Sequence, residues 1–271
     1  MNSEPAPSAP PDAARPTRAF ADDWQEWHRR HEEARADRHG FLAVAGLHWL
    51  TAEPQRFPGV PGEWRTGTDG PVVTLADDEE IVVDGRRIRK RHQFGVIAER
   101  AGITVEIDGG VLEVARRGGR DILRPRRPDH PLRTRYRGTA TFPPAERWVL
   151  QGRFVPFERP RPTTVGAAVE GLQHIYDAPG RIEFCVDGLP LSLTAFNGVT
   201  PGSLSVSLAV GAPDEQGRVT LDFNRAVNLP CAYTDFATCP LPPTENRLPV
   251  AVEAGEKIPY ERLAADPAAR S

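Results

Sequence analysis

Three short apolar stretches of this sequence are each interrupted by an Asp-Gly turn signal, and this feature constrains the fold more than any other. The stretches are IVVDGRRIR around Asp84-Gly85, ITVEIDGGVLEVA around Asp108 to Gly110, and IEFCVDGLPLSL around Asp187-Gly188. Tight turns between antiparallel strands need positive φ at their central residues, which Asp-Gly adopts at low cost. Each stretch therefore predicts a β-hairpin, and three hairpins predict an all-β body.

Further alternating apolar segments extend this pattern along the chain. The additional strand candidates are Val72 to Leu75, Arg133 to Arg137, Arg147 to Phe157, Thr163 to Val169, Ser203 to Val210 and Arg218 to Asn224. Strands do not alternate with helical segments, so a parallel α/β sheet is disfavoured. The sequence predicts an antiparallel domain that is either barrel-like or a sandwich.

The N-terminal region is predicted to contribute one amphipathic helix. Between about Arg18 and Gly40, aromatic residues recur at intervals of three to four, which is the spacing of one helical face. Asp22 or Asp23 would cap this helix, and Gly40 would end it. The apolar run Phe41 to Leu50 is too short to cross a membrane and predicts a buried helical turn or strand.

These boundaries predict one domain with short tails. Residues 1–18 are rich in Pro, Ala and Ser and are predicted to be a disordered tail. Residues 19–262 are predicted to form a single mainly β domain that carries the helix at its N-terminal end. Residues 263–271 would be a C-terminal tail.

Composition disfavours several broad classes of function. The formal net charge of −3 and the pI near 6.2 give no overall attraction to nucleic acid or to anionic membranes. No apolar run approaches the roughly 20 residues that cross a bilayer, and the N-terminal residues lack the apolar core of a signal peptide. Three cysteines are too few for a disulfide scaffold, so a cytoplasmic location is expected. The sequence is compatible with a homo-oligomer but gives no sign of one.

One segment near the C-terminus concentrates residue types that the rest of the chain uses sparingly. The chain has five Asn, three Cys and two Lys, and six of these ten residues lie between Leu221 and Lys257. Five prolines between Asn224 and Lys257 forbid a continuous helix or central strand, while apolar and aromatic residues argue against disorder. We call Leu221 to Lys257 the signature segment and predict that it forms a long, ordered, Pro-rich loop.

The signature segment resembles that of a known bacterial family. The runs DFNRAVNLPCAY, CPLPPTENRLPV and AGEK, together with the Trp-rich helix that leads into GLHWL, are similar to the family named domain of unknown function 1684. The resemblance extends over most of Asp22 to about Tyr260. It implies a bacterial, mainly β domain of unassigned biochemical activity, and it supplies no substrate.

The chain departs from this family pattern in two places. The resemblance implies a strand with Arg, Asp, Thr, Ser and Tyr before the signature, whereas Phe196 to Val210 reads FNGVTPGSLSVSLAV and keeps comparable hydroxyls only at Thr200 and Ser205. Val227 also stands where the family signature has Tyr. If the polar strand belongs to a family active site, its activity is predicted to be lost or altered in this chain.

Candidate catalytic residues are few. Cys231 and Glu245 are candidates for a nucleophile and for an acid or base, and each would need a histidine brought from elsewhere by the fold. Alternatively, Cys231 and Cys239 are small buried apolar groups. No metal site is predicted because these cysteines lack a matching pair, and His28 and His31 are predicted to lie on a solvated helix face. No cofactor motif is present, so no cofactor is predicted.

The best candidates for ligand binding are polar residues of the signature segment. They are Asn224, Arg225, Asn228, Asn246 and Lys257. Asn offers donors and an acceptor, Arg a planar fork for carboxylate or phosphate, and Lys a point charge. These residues predict a pocket for a small polar or anionic molecule, walled by residues 224–257. The alternative is that they only satisfy unpaired backbone groups of a Pro-rich loop.

Two other functions remain open. One is a hydrolase-type enzyme that uses Cys231 or Glu245 with a distant His. The other is a structural or nucleic-acid-associated module whose basic strand faces lie side by side. Those faces would consist of Arg87, Arg89 and Arg91 on one strand and Arg133, Arg135 and Arg137 on the other. Nucleic acid is the less favoured partner, because aromatic interleaving is nearly absent and the acidic run Asp77 to Glu80 can neutralise the first face.

Overall fold

A computed structural model describes residues 16–198, 203–206 and 208–262 of the chain. The two helices over these ranges are α1 (Arg18–Arg35) and α2 (Pro131–Arg135). The strands over the same ranges are β1 (His48–Trp49), β2 (Glu63–Arg65), β3 (Val72–Thr74), β4 (Ile81–Val83), β5 (Arg86–Ile88), β6 (Arg91–Gln93), β7 (Gly102–Ile107), β8 (Gly110–Arg117), β9 (Arg120–Arg126), β10 (Val149–Gly166), β11 (Gln173–Val186), β12 (Leu189–Asn197), β13 (Leu204–Ser205), β14 (Ala209–Val210) and β15 (Arg218–Asp222).

The strands form three antiparallel sheets. The first sheet has the order β1-β9-β8-β7-β4-β5, the second β2-β3-β6, and the third β14-β13-β12-β11-β10-β15. The mainly β prediction is therefore confirmed. None of these sheets closes on itself within the described residues, so the barrel-like alternative is wrong and the arrangement is sandwich-like.

All three predicted hairpins are present. They join β4 to β5, β7 to β8 and β11 to β12. Asp84 and Gly85 have φ of 48° and 74°, and Asp187 and Gly188 have φ of 49° and 81°. This left-handed backbone is what the Asp-Gly pair was expected to supply, because other residue types adopt it at a higher cost.

Two strand predictions are wrong in instructive ways. Residues 133–137 are not a strand, because Pro131 begins the short helix α2 and Arg133 donates to the carbonyl groups of Ala36 and Pro128. The proposed pair of basic strand faces therefore does not form, and on the other face Arg87 and Arg89 pair with Glu80. The predicted strands Arg147 to Phe157 and Thr163 to Val169 are instead one long strand, β10.

The N-terminal helix is confirmed, but its ends were misplaced. Thr17 precedes the first helical residue, so Asp22 and Asp23 lie inside α1, and the helix ends at Arg35 rather than Gly40. His28 stacks on Trp24 and His31 stacks on Trp27, so this face is half-buried and not a solvated surface.

Thr200 is one of the two hydroxyl residues kept on the strand that departs from the family pattern. It lies outside the described residues.

Buried side chains form two large cores and two smaller clusters, one of which joins the large cores. The first core lies between the first and second sheets around Trp64 and Leu112, and the other packs on the third sheet around Ile182 and Leu221. A smaller cluster brings Ile122 of β9 against Phe236 of the signature segment and so joins the two halves of the chain. No helix within the described ranges is both long and apolar enough to cross a bilayer.

Candidate functional site

The three asparagines of the signature segment bind the protein's own backbone. Asn224 is 1% exposed, and its side-chain amide accepts from the Ala145 N–H at 2.8 Å and donates to the Ala145 carbonyl at 3.0 Å. Asn246 does the same with the N–H and carbonyl of Thr194, at 2.7 and 2.9 Å. A side-chain amide presents one donor and one acceptor at the spacing of a peptide group, so each asparagine replaces a missing backbone partner.

The remaining predicted ligand residues also have intramolecular partners. The amide of Asn228 donates to the Lys257 carbonyl at 2.7 Å. The guanidinium of Arg225 pairs with Asp23 and with Asp222. Lys257 places its ammonium nitrogen 4.8 Å from the ring centre of Phe142. None of the five predicted ligand residues lines either of the cavities described below.

A buried ionic network ties the signature segment to α1. The Arg35 and Glu256 side chains are 0% and 2% exposed, and an Arg35 Nη2 to Glu256 Oε1 hydrogen bond of 2.5 Å joins them. Around them lie Glu32, Tyr136, Thr139 and Tyr233. Burial raises the pKa of Tyr233 to about 12, so its hydroxyl keeps its proton at neutral pH. We call these six residues the Arg35–Glu256 network.

The two cysteines of the signature segment have pKa values shifted in opposite directions. The neighbouring Cys239 thiol outweighs burial and lowers the pKa of Cys231 to about 7, with smaller contributions from the Cys231 backbone and the charge of Arg262. The Cys231 thiol, together with burial, raises the pKa of Cys239. No histidine is among the described groups that lower the pKa of Cys231, and Glu245 is exposed, with the Thr194 hydroxyl 3.4 Å from its carboxylate.

A cavity of about 200 Å³ lies where the first sheet meets the signature segment. Arg100, Arg117 and Arg124 are among the residues that line it. The other residues that line it are His174, Tyr176, Pro230, Ala237, Thr238, Cys239 and Pro240. We call this space the arginine cavity. None of the described residues that line it is a carboxylate.

The register of the β8–β9 hairpin places three arginines around one carboxylate. Glu113 lies opposite Arg124 and accepts hydrogen bonds from Arg117 at 2.9 Å, from Arg124 at 2.6 Å and from Arg126 at 2.5 Å. Burial opposes ionisation of Glu113, but the charges and hydrogen bonds of Arg124 and Arg126 outweigh it and lower its pKa to about 2. One carboxylate therefore serves three guanidinium groups.

The second cavity adjoins the same cluster. Its volume is about 330 Å³, and it is lined by His39, Gly102, Thr104, Val111, Glu113 and Arg126. Its charged lining is balanced, because Glu113 and Arg126 are paired with each other. On the side of the arginine cavity, Glu113 and the nearby charge of Glu99 offset the positive charge only in part, because the pKa of Arg117 stays lowered.

Arg100 is held in a conformation that its residue type rarely adopts. Its φ is 69°, its N–H donates to the Arg116 carbonyl at 3.0 Å, and its guanidinium carbon lies 4.7 Å from the ring centre of Tyr176. Such backbone strain in a non-glycine residue is concentrated at functional sites. Here the strain presents a cation at the arginine cavity.

The strain predicts a difference between two substitutions at this position. Both Arg100→Gly and Arg100→Ala remove the side chain, but only glycine adopts positive φ without a steric penalty. Arg100→Gly is therefore expected to have a higher free energy of unfolding than Arg100→Ala, by about 1 kcal/mol. Urea denaturation of both variants measures the difference. Equal stability of the two variants would contradict a strained Arg100.

Sequence reasoning missed the three arginines that line the arginine cavity. The run EVARRGGRDILRPR holds Glu113, Arg117 and Arg124 in a hairpin pattern around Gly118-Gly119, and alternation alone puts these three side chains on one face. Their approach to Thr238 and Cys239 depends on how the two halves of the chain pack.

Among the described residues, no group of three or more His, Cys, Asp or Glu side chains is placed to hold a metal ion.

Comparison with known proteins gives a family of unassigned function. Residues 134–209 and 203–257 match the model of a family described as protein of unknown function (DUF1684). Among solved structures, the chain is similar to the solution NMR structure of an uncharacterised protein from Haloarcula marismortui. The identity is 26% and the TM-score 0.36, over 46% of this chain and 78% of that chain. No curated protein matches this chain.

Proposed function

We propose that this chain, which belongs to the DUF1684 family through residues 134–257, binds a small anionic molecule in the arginine cavity. The observation that carries the proposal is the imbalance of charge at this cavity. Arg100, Arg117 and Arg124 line it, and Arg117 and Arg124 share Glu113 with Arg126. Even with the further negative charge of Glu99 nearby, the pKa of Arg117 stays lowered. A bound anion supplies the negative charge that this cluster lacks.

Burial makes the imbalance costly in the empty cavity. The side chains of Arg117 and Arg124 are 15% and 13% exposed, so water screens their mutual repulsion only in part. Burial, followed by the like charge of Arg124, lowers the pKa of Arg117. An anion that accepts hydrogen bonds from both guanidinium groups relieves this repulsion, and such charge-assisted bonds are among the strongest in proteins.

The size and donors of the cavity favour a compact ligand. A volume of about 200 Å³ is several times the roughly 30 Å³ that one water occupies in the liquid. It suits inorganic phosphate, sulfate or a short carboxylate better than a nucleotide. Arginine forks recognise such planar or tetrahedral oxyanions through paired hydrogen bonds.

The cavity combines residues from inside and outside the family match. His174, Tyr176 and residues 237–240 lie within it, whereas Arg100, Arg117 and Arg124 precede residue 134. The preference for an anion is therefore a proposal about this chain. The signature segment supplies Pro230 and residues 237–240 of the lining rather than the charged groups.

Inorganic phosphate is the probe for a direct test. At low ionic strength, phosphate is expected to raise the unfolding midpoint of the wild-type protein, and calorimetry gives its affinity. Arg100→Ala is expected to weaken that affinity about tenfold, the loss of one charge-assisted hydrogen bond of roughly 1.5 kcal/mol. Sodium chloride at matched ionic strength controls for screening.

Arg161→Ala is the matched control for Arg100→Ala. Arg161 is also an exposed arginine over an aromatic ring, 3.9 Å from the ring centre of Phe157, but it lies outside the cavity. Its phosphate affinity should equal that of the wild type. Absence of phosphate binding, or equal loss in both variants, would refute the proposed function.

A further inference from the structure

A single hydrogen bond determines which ring nitrogen of His174 carries the hydrogen. His174 lies on β11 and is buried, and its Nε2 is 2.9 Å from the backbone carbonyl oxygen of Thr238. A carbonyl oxygen can only accept, so Nε2 is the donor of this bond. In the neutral ring, Nδ1 then has no hydrogen and is an acceptor.

The Nδ1 atom of His174 is available to a ligand of the arginine cavity. Both His174 and Tyr176 line this cavity, whereas Ile175 between them is 67% exposed on the other face of β11. Among the described residues, no hydrogen bond reaches Nδ1. It is also not one of the unpaired nitrogen atoms that are closed off from solvent in this part of the chain, such as Nδ1 of His28 and of His48. Nδ1 therefore keeps accessible surface, and the cavity is where this buried ring exposes it.

The other polar side chains of the cavity place no such demand on a ligand. The three arginines that line it carry donors only and accept nothing from a ligand. Tyr176 and Thr238 also line it, and a hydroxyl can either donate or accept. Nδ1 of neutral His174 can only accept. It therefore requires a hydrogen on the ligand, while the arginines require negative charge.

We propose that the anion bound in the arginine cavity is a tetrahedral oxyanion that retains a hydroxyl group, and that this hydroxyl donates to Nδ1 of His174. The inference rests on the proposed function and narrows its ligand to inorganic phosphate or an oxyanion of the same form. At about pH 8, where an imidazole of ordinary pKa, roughly 6.5, is neutral, the phosphate dianion still carries one hydrogen. Sulfate has the same shape and charge but no hydrogen.

A fully deprotonated oxyanion would meet a repulsive contact in this cavity. One of its oxygen lone pairs would face the lone pair of His174 Nδ1, and neither atom could donate. An acceptor left without a donor loses its bond and the water it had before binding. Such a mismatch gives selectivity through the rejected ligand as well as through the accepted one. Phosphate is therefore expected to bind at least about tenfold more tightly than sulfate.

Calorimetry on the full-length protein tests this selectivity. Phosphate, sulfate and methyl phosphate are titrated at about pH 8 and constant ionic strength. Methyl phosphate is a dianion there, because its second pKa is about 6, but it has no hydroxyl. It should bind as weakly as sulfate. Equal affinities for all three anions would overturn this inference and leave the proposed function standing, whereas no binding of any of them would refute both.

His174→Gln tests whether this residue is the source of the selectivity. Glutamine can still donate to the Thr238 carbonyl in place of Nε2, but it has no atom in the place of Nδ1. The ratio of phosphate to sulfate affinity should fall close to one. Damage to the cavity would weaken both anions alike and leave the ratio unchanged. A ratio that stays at the wild-type value in His174→Gln would overturn the assignment to His174.

His130→Gln is the matched control. His130 is also a buried histidine with one ring nitrogen near a backbone carbonyl, 3.0 Å from that of Leu42, but it does not line the cavity. Its phosphate to sulfate ratio should equal that of the wild type. A ratio lowered equally in both variants would also overturn the assignment.

Nuclear magnetic resonance of the wild-type protein gives a test that needs no variant. With nitrogen-15 in the histidines, the spectrum shows directly which nitrogen of His174 carries the hydrogen. Saturating phosphate should shift the Nδ1 resonance in the direction of an accepted hydrogen bond, and sulfate should not. A hydrogen found on Nδ1 in the free protein, or an Nδ1 resonance that phosphate leaves unchanged, would overturn the inference.

Discussion

Glu256→Gln is expected to lower the free energy of unfolding by about 3 kcal/mol, the lower end of the cost of breaking a buried ion pair. Glu256 accepts from Arg35 through one oxygen and from the Asn228 N–H through the other, at 2.6 Å. Glutamine matches its shape but replaces one acceptor by a donor, which must then face Arg35 or the Asn228 N–H. Glu32 still binds Arg35, which keeps the loss near this lower end.

Glu253→Gln is the control for this experiment. It makes the same chemical change three residues earlier, but Glu253 lies 3.8 Å from Arg147 with both side chains mostly exposed. Such surface pairs contribute little, and the variant should stay within about 0.5 kcal/mol of the wild type. Urea denaturation of both variants provides the comparison. Similar stabilities for Glu256→Gln and Glu253→Gln would show that the Arg35–Glu256 network does not stabilise the fold.

Local sequence patterns predicted the parts of this fold that local physics determines. The Asp-Gly signals predicted three hairpins because tight turns need positive φ, which both turn residues adopt at Asp84-Gly85 and Asp187-Gly188 and Gly109 alone adopts in the third turn. The prolines of the signature segment likewise exclude regular structure. After Asp222 this segment contains short 3-10 turns, such as Pro230–Ala232, but no α-helix or strand. Residues 133–137 were misread because alternating arginines resemble an exposed strand, whereas Pro131 starts a helix.

The candidate site was less predictable because its residues meet only through tertiary packing. Arg35 and Glu256 are far apart in sequence, and only the docking of α1 on the signature segment joins them. The asparagines drew attention as rare polar residues, yet their partners are backbone groups that a sequence does not display. The cavity arginines, in contrast, do not stand out in the sequence, because arginine is the common cation throughout this chain.

The second large effect is expected from Glu113→Gln. This change leaves Arg117, Arg124 and Arg126 without their shared carboxylate. The pKa of Glu113 is lowered from 4.5 to about 2, which corresponds to a loss on the order of 3 kcal/mol when its charge is removed. The variant should therefore unfold more easily than the wild type in a buffer without phosphate, as measured by urea denaturation.

Phosphate should reverse much of this loss. Without the competing carboxylate, Arg117 and Arg124 are free to bind an anion, so Glu113→Gln should bind phosphate more tightly than the wild type. A ligand at about 100 times its dissociation constant stabilises a protein by roughly 2.7 kcal/mol. Glu80→Gln, which removes the partner of the exposed Arg87 and Arg89, should show neither the loss nor the phosphate response. A phosphate response no larger than that of the wild type would show that Glu113 does not compete with phosphate at the proposed anion site.

Acid provides an independent measure of the same carboxylate. Because the folded protein holds the pKa of Glu113 below its unfolded value of 4.5, the stabilisation is complete above that value and is lost as the pH falls towards 2. The difference in unfolding free energy between the wild type and Glu113→Gln should therefore be constant near neutral pH and shrink between pH 4.5 and 2. Other depressed carboxyls, such as Glu79, titrate in both proteins and cancel. A difference that does not change with pH would mean that the ionised carboxylate is not what holds the three arginines together.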